Sequence, residues 1–261
     1  MKNFFGKSTV QSVLYLIAIF VAWEVAPRVG LIDNWILPPF SVVLNITYRE
    51  LIHGNLAIQA LNTLSIILQG FGLAFILAFI ITMLCTWIKP IKVLVTLLCT
   101  IFNPLPAIAI MPLFILWFGI GTGVMRIIII HGVIWALMTH ILDGFRTIPN
   151  VYRDWGRNIE LNFWQMFSKI LFIAIMPEVI AGIRVGWGRA WRALLAAEMI
   201  FGMIGTLGGI GYYIYNARAF ANMSRVMAGV LVIIIIGIIV ESVFFRQLEK
   251  HTIQKWGMSN E

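Results

Sequence analysis

Long apolar runs separated by short polar punctuation dominate this chain. The windows Gly54–Ile88 and Val93–Met125 contain no charged residue at all. A bilayer core about 30 Å thick needs roughly 20 apolar residues per helix. Six segments meet that need, at about 9–27, 63–88, 92–117, 124–142, 170–200 and 225–245. The third is interrupted by Asn103, Pro104, Pro106 and Pro112, which predicts a kink or a break, because proline removes a backbone donor and clashes with the preceding turn. The first run, from about Ser8 to Trp23, continues into Glu24 and Pro27 and not into a small-residue cleavage site, so it reads as a retained span. The pattern predicts an all-α integral membrane protein of six transmembrane helices, built as one domain over residues 1–261.

Composition strengthens that reading. Of 261 residues, 61% are hydrophobic and 11% charged, too few charges to cover a water-facing surface. The net charge of +8 does not mark a nucleic-acid partner, because the basic residues are scattered between apolar runs. With both termini cytoplasmic, Lys2, Lys7, Lys89, Lys92, Arg146, Arg153, Arg157, Lys169, Arg246, Lys250 and Lys255 lie inside. Arg28, Arg49, Arg126, Arg218 and Arg225 lie outside, a bias that follows the positive-inside rule. Cys85 and Cys99 fall in apolar stretches and read as free buried thiols.

A catalytic constellation is missing. His131 and His140 lie nine residues apart, on opposite faces of one helix, and read as hydrogen-bonded packing residues; no metal site is expected. Gly6-Lys7-Ser8 lacks the earlier glycine of a phosphate-binding loop, since Met1 occupies that position. The glycines at 202, 205, 208, 209 and 211 read as a flexible turn joining the fifth and sixth spans.

Charges do enter the spans: Glu178, Arg184, Arg189, Arg192, Glu198 and Glu241. At about 2.5–3.5 kcal/mol for an unpaired charge in lipid, they must face the bundle, a pore or the membrane edge. Arg189 and Arg192 share a helix face, either to present positive potential to an anion or to pair structurally, for instance with Glu198. Asn103 either lines a kinked pore helix or caps the break.

The segment 146–169 is polar, aromatic and predicted to be cytoplasmic. Val151, Trp155 and Ile159 form one apolar stripe on a short helix, while Arg153, Asp154 and Arg157 face elsewhere. A second helix starts at Asn162, with Gln165 completing a capping box. Phe163, Trp164 and Phe167 follow, suited either to a groove on a partner protein or to the headgroup layer.

Further motifs accompany that loop. They are Ile36-Leu37-Pro38-Pro39, Asn103-Pro104-Leu105-Pro106, Leu116-Trp117-Phe118-Gly119-Ile120-Gly121, Arg146-Thr147-Ile148-Pro149, Gly188-Arg189-Ala190-Trp191, Ala197-Glu198-Met199 and Gly208-Gly209-Ile210-Gly211-Tyr212. In that order, and over nearly the whole chain, they resemble the binding-protein-dependent ABC importer permeases. The branch is the one that handles nitrate, aliphatic sulfonates, taurine, bicarbonate and thiamine precursors. The resemblance implies a type I importer (MetI-like) permease fold in the bacterial cytoplasmic membrane. It also implies a second permease copy, two cytoplasmic ATPase subunits on the loop, and an extracytoplasmic binding protein. The chain itself then binds no cofactor, and ATP and Mg belong to the ATPase. Coupling residues implied are Arg153, Asp154, Trp155, Gly156, Arg157, Glu160, Asn162, Phe163, Trp164, Gln165 and Phe167. Asn103, Arg189, Arg192 and Glu198, singled out above from their own positions, are the candidates for the translocation pathway, and a small anion is the expected solute.

The loop departs from the family pattern at three places. Asp154-Trp155-Gly156 replaces Glu-Ala-Ala, Glu160 replaces the hinge glycine, and Ile173 replaces a proline. Glutamate disfavours positive φ, so the turn is expected to keep ordinary φ, to extend one helix, or to hold strain through contacts. Glu160 either faces the next helix start or a basic residue on the ATPase, together with Arg157 three residues back, or is simply solvated. A membrane scaffold that only recruits a partner through this loop is the alternative function.

Overall fold

A computed structural model describes residues 2–203 and 207–254, without the side chains of residues 2–10, 153, 163, 253 and 254. Lys255 and Gly205 therefore lie outside the described residues. Helices follow one another as α1 (Lys2–Arg28), α2 (Phe40–Ile52), α3 (Leu56–Trp87), α4 (Lys89–Phe102), α5 (Ala107–Phe118) and α6 (Thr122–Thr147). They continue as α7 (Asn150–Asn158), α8 (Trp164–Ala174), α9 (Met176–Phe201), α10 (Ile210–Ala219) and α11 (Met223–Thr252). No strand occurs among the described residues.

Helix α6 is the axis. Of its most apolar window, 67% is buried, against 28% for α3 and 17% for α11, so the latter two leave most of their surface outside the core of this chain. It packs on α3 and α9. Ile128, Ile129, Val133, Leu137 and Met138 of α6 meet Ile67, Ala74 and Ala78 of α3, and Ala190 and Leu194 of α9, in one core. Cys85 and Cys99 are free thiols inside that core, as their apolar setting predicts. Helix α1 stands at the periphery and is tied to the start of α2. The Trp23 indole donates to the Pro38 carbonyl at 3.0 Å, and Glu24 accepts from the Ser41 amide at 2.9 Å.

Among the described residues, three helices, α3, α6 and α11, are long and apolar enough to cross a bilayer. Two further pairs qualify as bent spans: α4 with α5, at 105°, and α8 with α9, at 59°. With α1, whose 27 residues extend about 40 Å, these elements are compatible with six crossings. The expected interruption of the third span is a full break. Pro104 and Pro106 stop α4 and restart α5, while Pro112 is tolerated inside α5.

Two elements were not legible as helices. The segment Phe40–Ile52 is too short to span and lies between two spans, where Val43 and Thr47 pack inward. The supposed flexible turn after α9 contains α10, whose Ile210, Tyr213 and Ile214 join a second core with Leu56 and Ala60. His131 corrects another expectation. Its ring stands edge-on to Phe102, Phe114 and Trp135, and neither nitrogen has a hydrogen-bond partner among the described residues. His140, on the other face, lies 3.2 Å from Glu178.

Candidate functional site

The break between α4 and α5 leaves backbone groups without helical partners. Irregular backbone at membrane depth persists only where protein or a cavity receives it. Both conditions hold here. A cleft of about 480 Å³ opens beside the break, between α4–α5 on one side and α6 and α9 on the other. Its wall includes Asn103, Pro104, Pro106, Gly132, Arg189 and Arg192. Arg189 reaches from α9 to the end of α4 and donates to the Asn103 carbonyl at 3.1 Å and its carboxamide oxygen at 2.7 Å. The guanidinium therefore caps the negative end of α4.

Arg192, one turn further along α9, stands differently. It is exposed in the cleft wall, and no ion pair or hydrogen bond holds its guanidinium among the described residues. The two arginines, equivalent by spacing, divide into a tethered and an untethered cation.

Glu198 does not join them. Its carboxylate is 3% exposed and sits in a closed knot between α3, α9 and α10. The Thr63 hydroxyl donates to it at 3.0 Å and the Gly211 amide at 2.9 Å, while the Ile210 amide donates to Thr63 at 2.9 Å. Pairing of Glu198 with Arg189 or Arg192 is corrected by this geometry. The neighbouring glycines are close-approach positions, because a Cβ at Gly209 would fall on the Glu198 carboxylate and the Thr63 hydroxyl. The remaining charges also find partners. Arg184 meets Glu241 at 3.3 Å and Glu249 at 2.9 Å, and lies 5.2 Å from the Phe245 ring centroid.

At the far end of α6 the loop folds back as two helices. The capping box forms: the Asn162 amide donates to Gln165 Oε1 at 3.1 Å, and the Gln165 amide donates to Asn162 Oδ1 at 2.9 Å. The apolar stripe of α7 faces outward, with Val151, Trp155 and Ile159 all more than half exposed. Trp164 is exposed as well, and Phe167 is half-buried against Phe79 and Phe145. The side chains of Arg153 and Phe163 lie outside the described residues. Arg157 approaches Asp154, at 3.9 Å, and not Glu160.

Glu160 adopts φ +53°, the last of the three expected outcomes, strain held through contacts, and not an ordinary φ or an extended helix. Its amide donates to the Arg157 carbonyl at 3.0 Å and the Leu161 amide donates to the Gly156 carbonyl at 3.0 Å. That is the bond pattern of a Schellman cap, so the left-handed turn a glycine would make is kept in spite of the side chain. Gly156 compensates elsewhere. A Cβ there would strike Met166 and come within 3.1 Å of Ile170, so glycine lets α7 lie close on α8. Two of the three departures from the family pattern are thereby accommodated.

A helical membrane bundle, a cleft at a broken helix and a capped aromatic loop at one end together have the build of a transport permease. Residues 86–253 match the family described as binding-protein-dependent transport system inner membrane component, and the chain belongs to that family. It is a multi-pass membrane protein and a permease subunit of an ATP-binding cassette importer. Similar proteins include an aliphatic sulfonates transport permease of Bacillus subtilis, 30% identical over 95% of this chain and 88% of its own length. A taurine transport permease of Escherichia coli is 30% identical over 52% of this chain and 48% of its own. A nitrate import permease of Synechocystis is 32% identical over 41% of this chain and 38% of its own. The scaffold alternative falls with this membership.

Proposed function

We propose that this permease imports a small oxyanion, a sulfonate or an inorganic anion of similar size, and that Arg192 is the cation that meets it. The observation that carries the reading is an arginine in the wall of a cleft at a broken membrane helix, with no counter-charge on it among the described residues. Asn103 and Arg189 shape the wall beside it, and Glu198 braces the bundle at a distance. The relatives named for aliphatic sulfonates, taurine and nitrate support the solute class, since each such solute carries a sulfonate or nitrate group.

The chain acts as one domain, paired with a second copy of itself. Its loop at about 146–169 receives the ATPase that holds ATP and Mg, and a binding protein delivers solute at the opposite end. Both termini are cytoplasmic in this reading, which puts Lys89, Lys92, Arg146 and Lys169 on the cytoplasmic side with the loop. ATP-driven closure of the two ATPases draws the loops together and switches the permease between outward- and inward-open states.

The test is uptake of ethanesulfonate, taurine and nitrate by the assembled importer carrying Arg192→Gln. A lost charge-assisted hydrogen bond is worth about 1.5–3 kcal/mol, so KM for the transported anion rises roughly 10- to 100-fold. Unchanged KM for every transported anion overturns the reading.

A further inference from the structure

A second, smaller cleft of about 210 Å³ adjoins the first at Asn103. Asn103 belongs to both walls, and beyond it the lining descends one turn at a time along α4, through Thr100 to Thr96. Along α6 it runs through Thr139 and Asp143 to Arg146, one residue before the helix ends at the loop. From Gly132, in the first cleft, to Arg146, in the second, α6 advances about 21 Å, most of the hydrocarbon thickness.

The residues along this lower leg are mostly polar, and several of their donors are engaged. The Thr100 hydroxyl donates to the Thr96 carbonyl at 2.9 Å, and the Thr139 hydroxyl donates to the Trp135 carbonyl at 2.8 Å. Arg146 donates to Asp143 at 3.1 Å, so the one guanidinium in its wall is masked by a carboxylate of the same helix. Water can wet such a surface, and among the described residues an anion meets no cation on it without a carboxylate alongside.

We infer that this leg is the hydrated exit for the anion, with Asp143 masking Arg146 so that the anion passes without being held. The inference rests on the anion reading of the upper cleft. An unmasked arginine here would form a second holding site, and an unmasked aspartate a barrier. Asp143 is thus a positioning residue for release.

The test reads charge and hydration without any transported solute. In the reconstituted permease–ATPase complex, Cys85→Ser and Cys99→Ser remove the native thiols, and Thr100→Cys places one on the leg. Methanethiosulfonate reagents bearing ethylsulfonate or ethyltrimethylammonium then compete for it. Both are expected to react. The anionic-to-cationic rate ratio should rise at least about threefold with Asp143→Asn, fall by a similar factor with Arg146→Gln, and return to its starting value in the double variant. Where the first thiol variant does not assemble, Thr96→Cys carries the same readout. A thiol that reacts only after denaturation overturns the hydrated leg, and a ratio indifferent to both substitutions overturns the masking. Either result can stand while Arg192→Gln still raises KM, which separates failure of the exit from failure of the anion site.

Discussion

Glu160 is held in a left-handed turn that costs a side-chain-bearing residue about 1–2 kcal/mol. The two backbone bonds of the Schellman cap, with Leu161 and Gly156, persist whatever residue occupies the position. Glu160→Gly should therefore relieve strain without moving the loop. The expected outcome is an unchanged or higher stimulated ATPase rate in the reconstituted complex, and slower hydrogen exchange at the Leu161 amide. A clear loss of ATPase stimulation would mean that the carboxylate itself contacts the partner. Glu198 poses the opposite case. Removing its carboxylate leaves the Thr63 hydroxyl and the Gly211 amide buried without an acceptor, at about 1–3 kcal/mol each. Glu198→Ala should lower the melting temperature of the detergent-solubilised permease, whereas Glu198→Gln keeps an acceptor and loses less. Equal melting temperatures for the two variants would remove the knot from the account of stability.

Helices α7 and α8 bear Trp155 and Trp164, 64% and 69% exposed, at one end of the bundle. Aromatic anchors in protein interfaces are typically worth 2 kcal/mol or more. Replacing both tryptophans by alanine should therefore weaken ATPase association at least about 30-fold while membrane insertion is unaffected. Co-purification measured over a dilution series gives the answer, and undiminished binding would assign the tryptophans to the headgroup layer. Much of this loop was legible beforehand, because caps and stripes are properties of residues three or four apart. Asn162 and Gln165 satisfy each other locally, and Val151, Trp155 and Ile159 fall on one face by helical period alone. The helix starting at Phe40 and the one starting at Ile210 were not legible. Neither is long enough to announce itself as a span, and α10 exists because Glu198 and Thr63 anchor its first turn.

Across the whole molecule, the break between α4 and α5 is held by a residue 86 positions later. Loss of that tether leaves the end of α4 uncapped in a membrane setting. Arg189→Gln is expected to lower the maximal uptake rate several-fold and to destabilise the permease by about 1–3 kcal/mol, with KM changed less than in Arg192→Gln. Uptake kinetics and melting temperature measured on both variants separate the tether from the cation. Matching KM shifts would make the two arginines a single site.

The sequence by itself determined the membrane class, the approximate spans, the break at the prolines and the capped loop. Each of these follows from hydrophobicity and hydrogen bonding among near neighbours. Only the tertiary structure decided which arginine is committed and which has no partner among the described residues, since their spacing on α9 gives both the same face. It also decided that Glu198 turns to Thr63, 135 residues away. The choice depends on which acceptors α4, α3 and α10 bring within reach, and packing of whole helices around α6 sets those distances. No local periodicity encodes them.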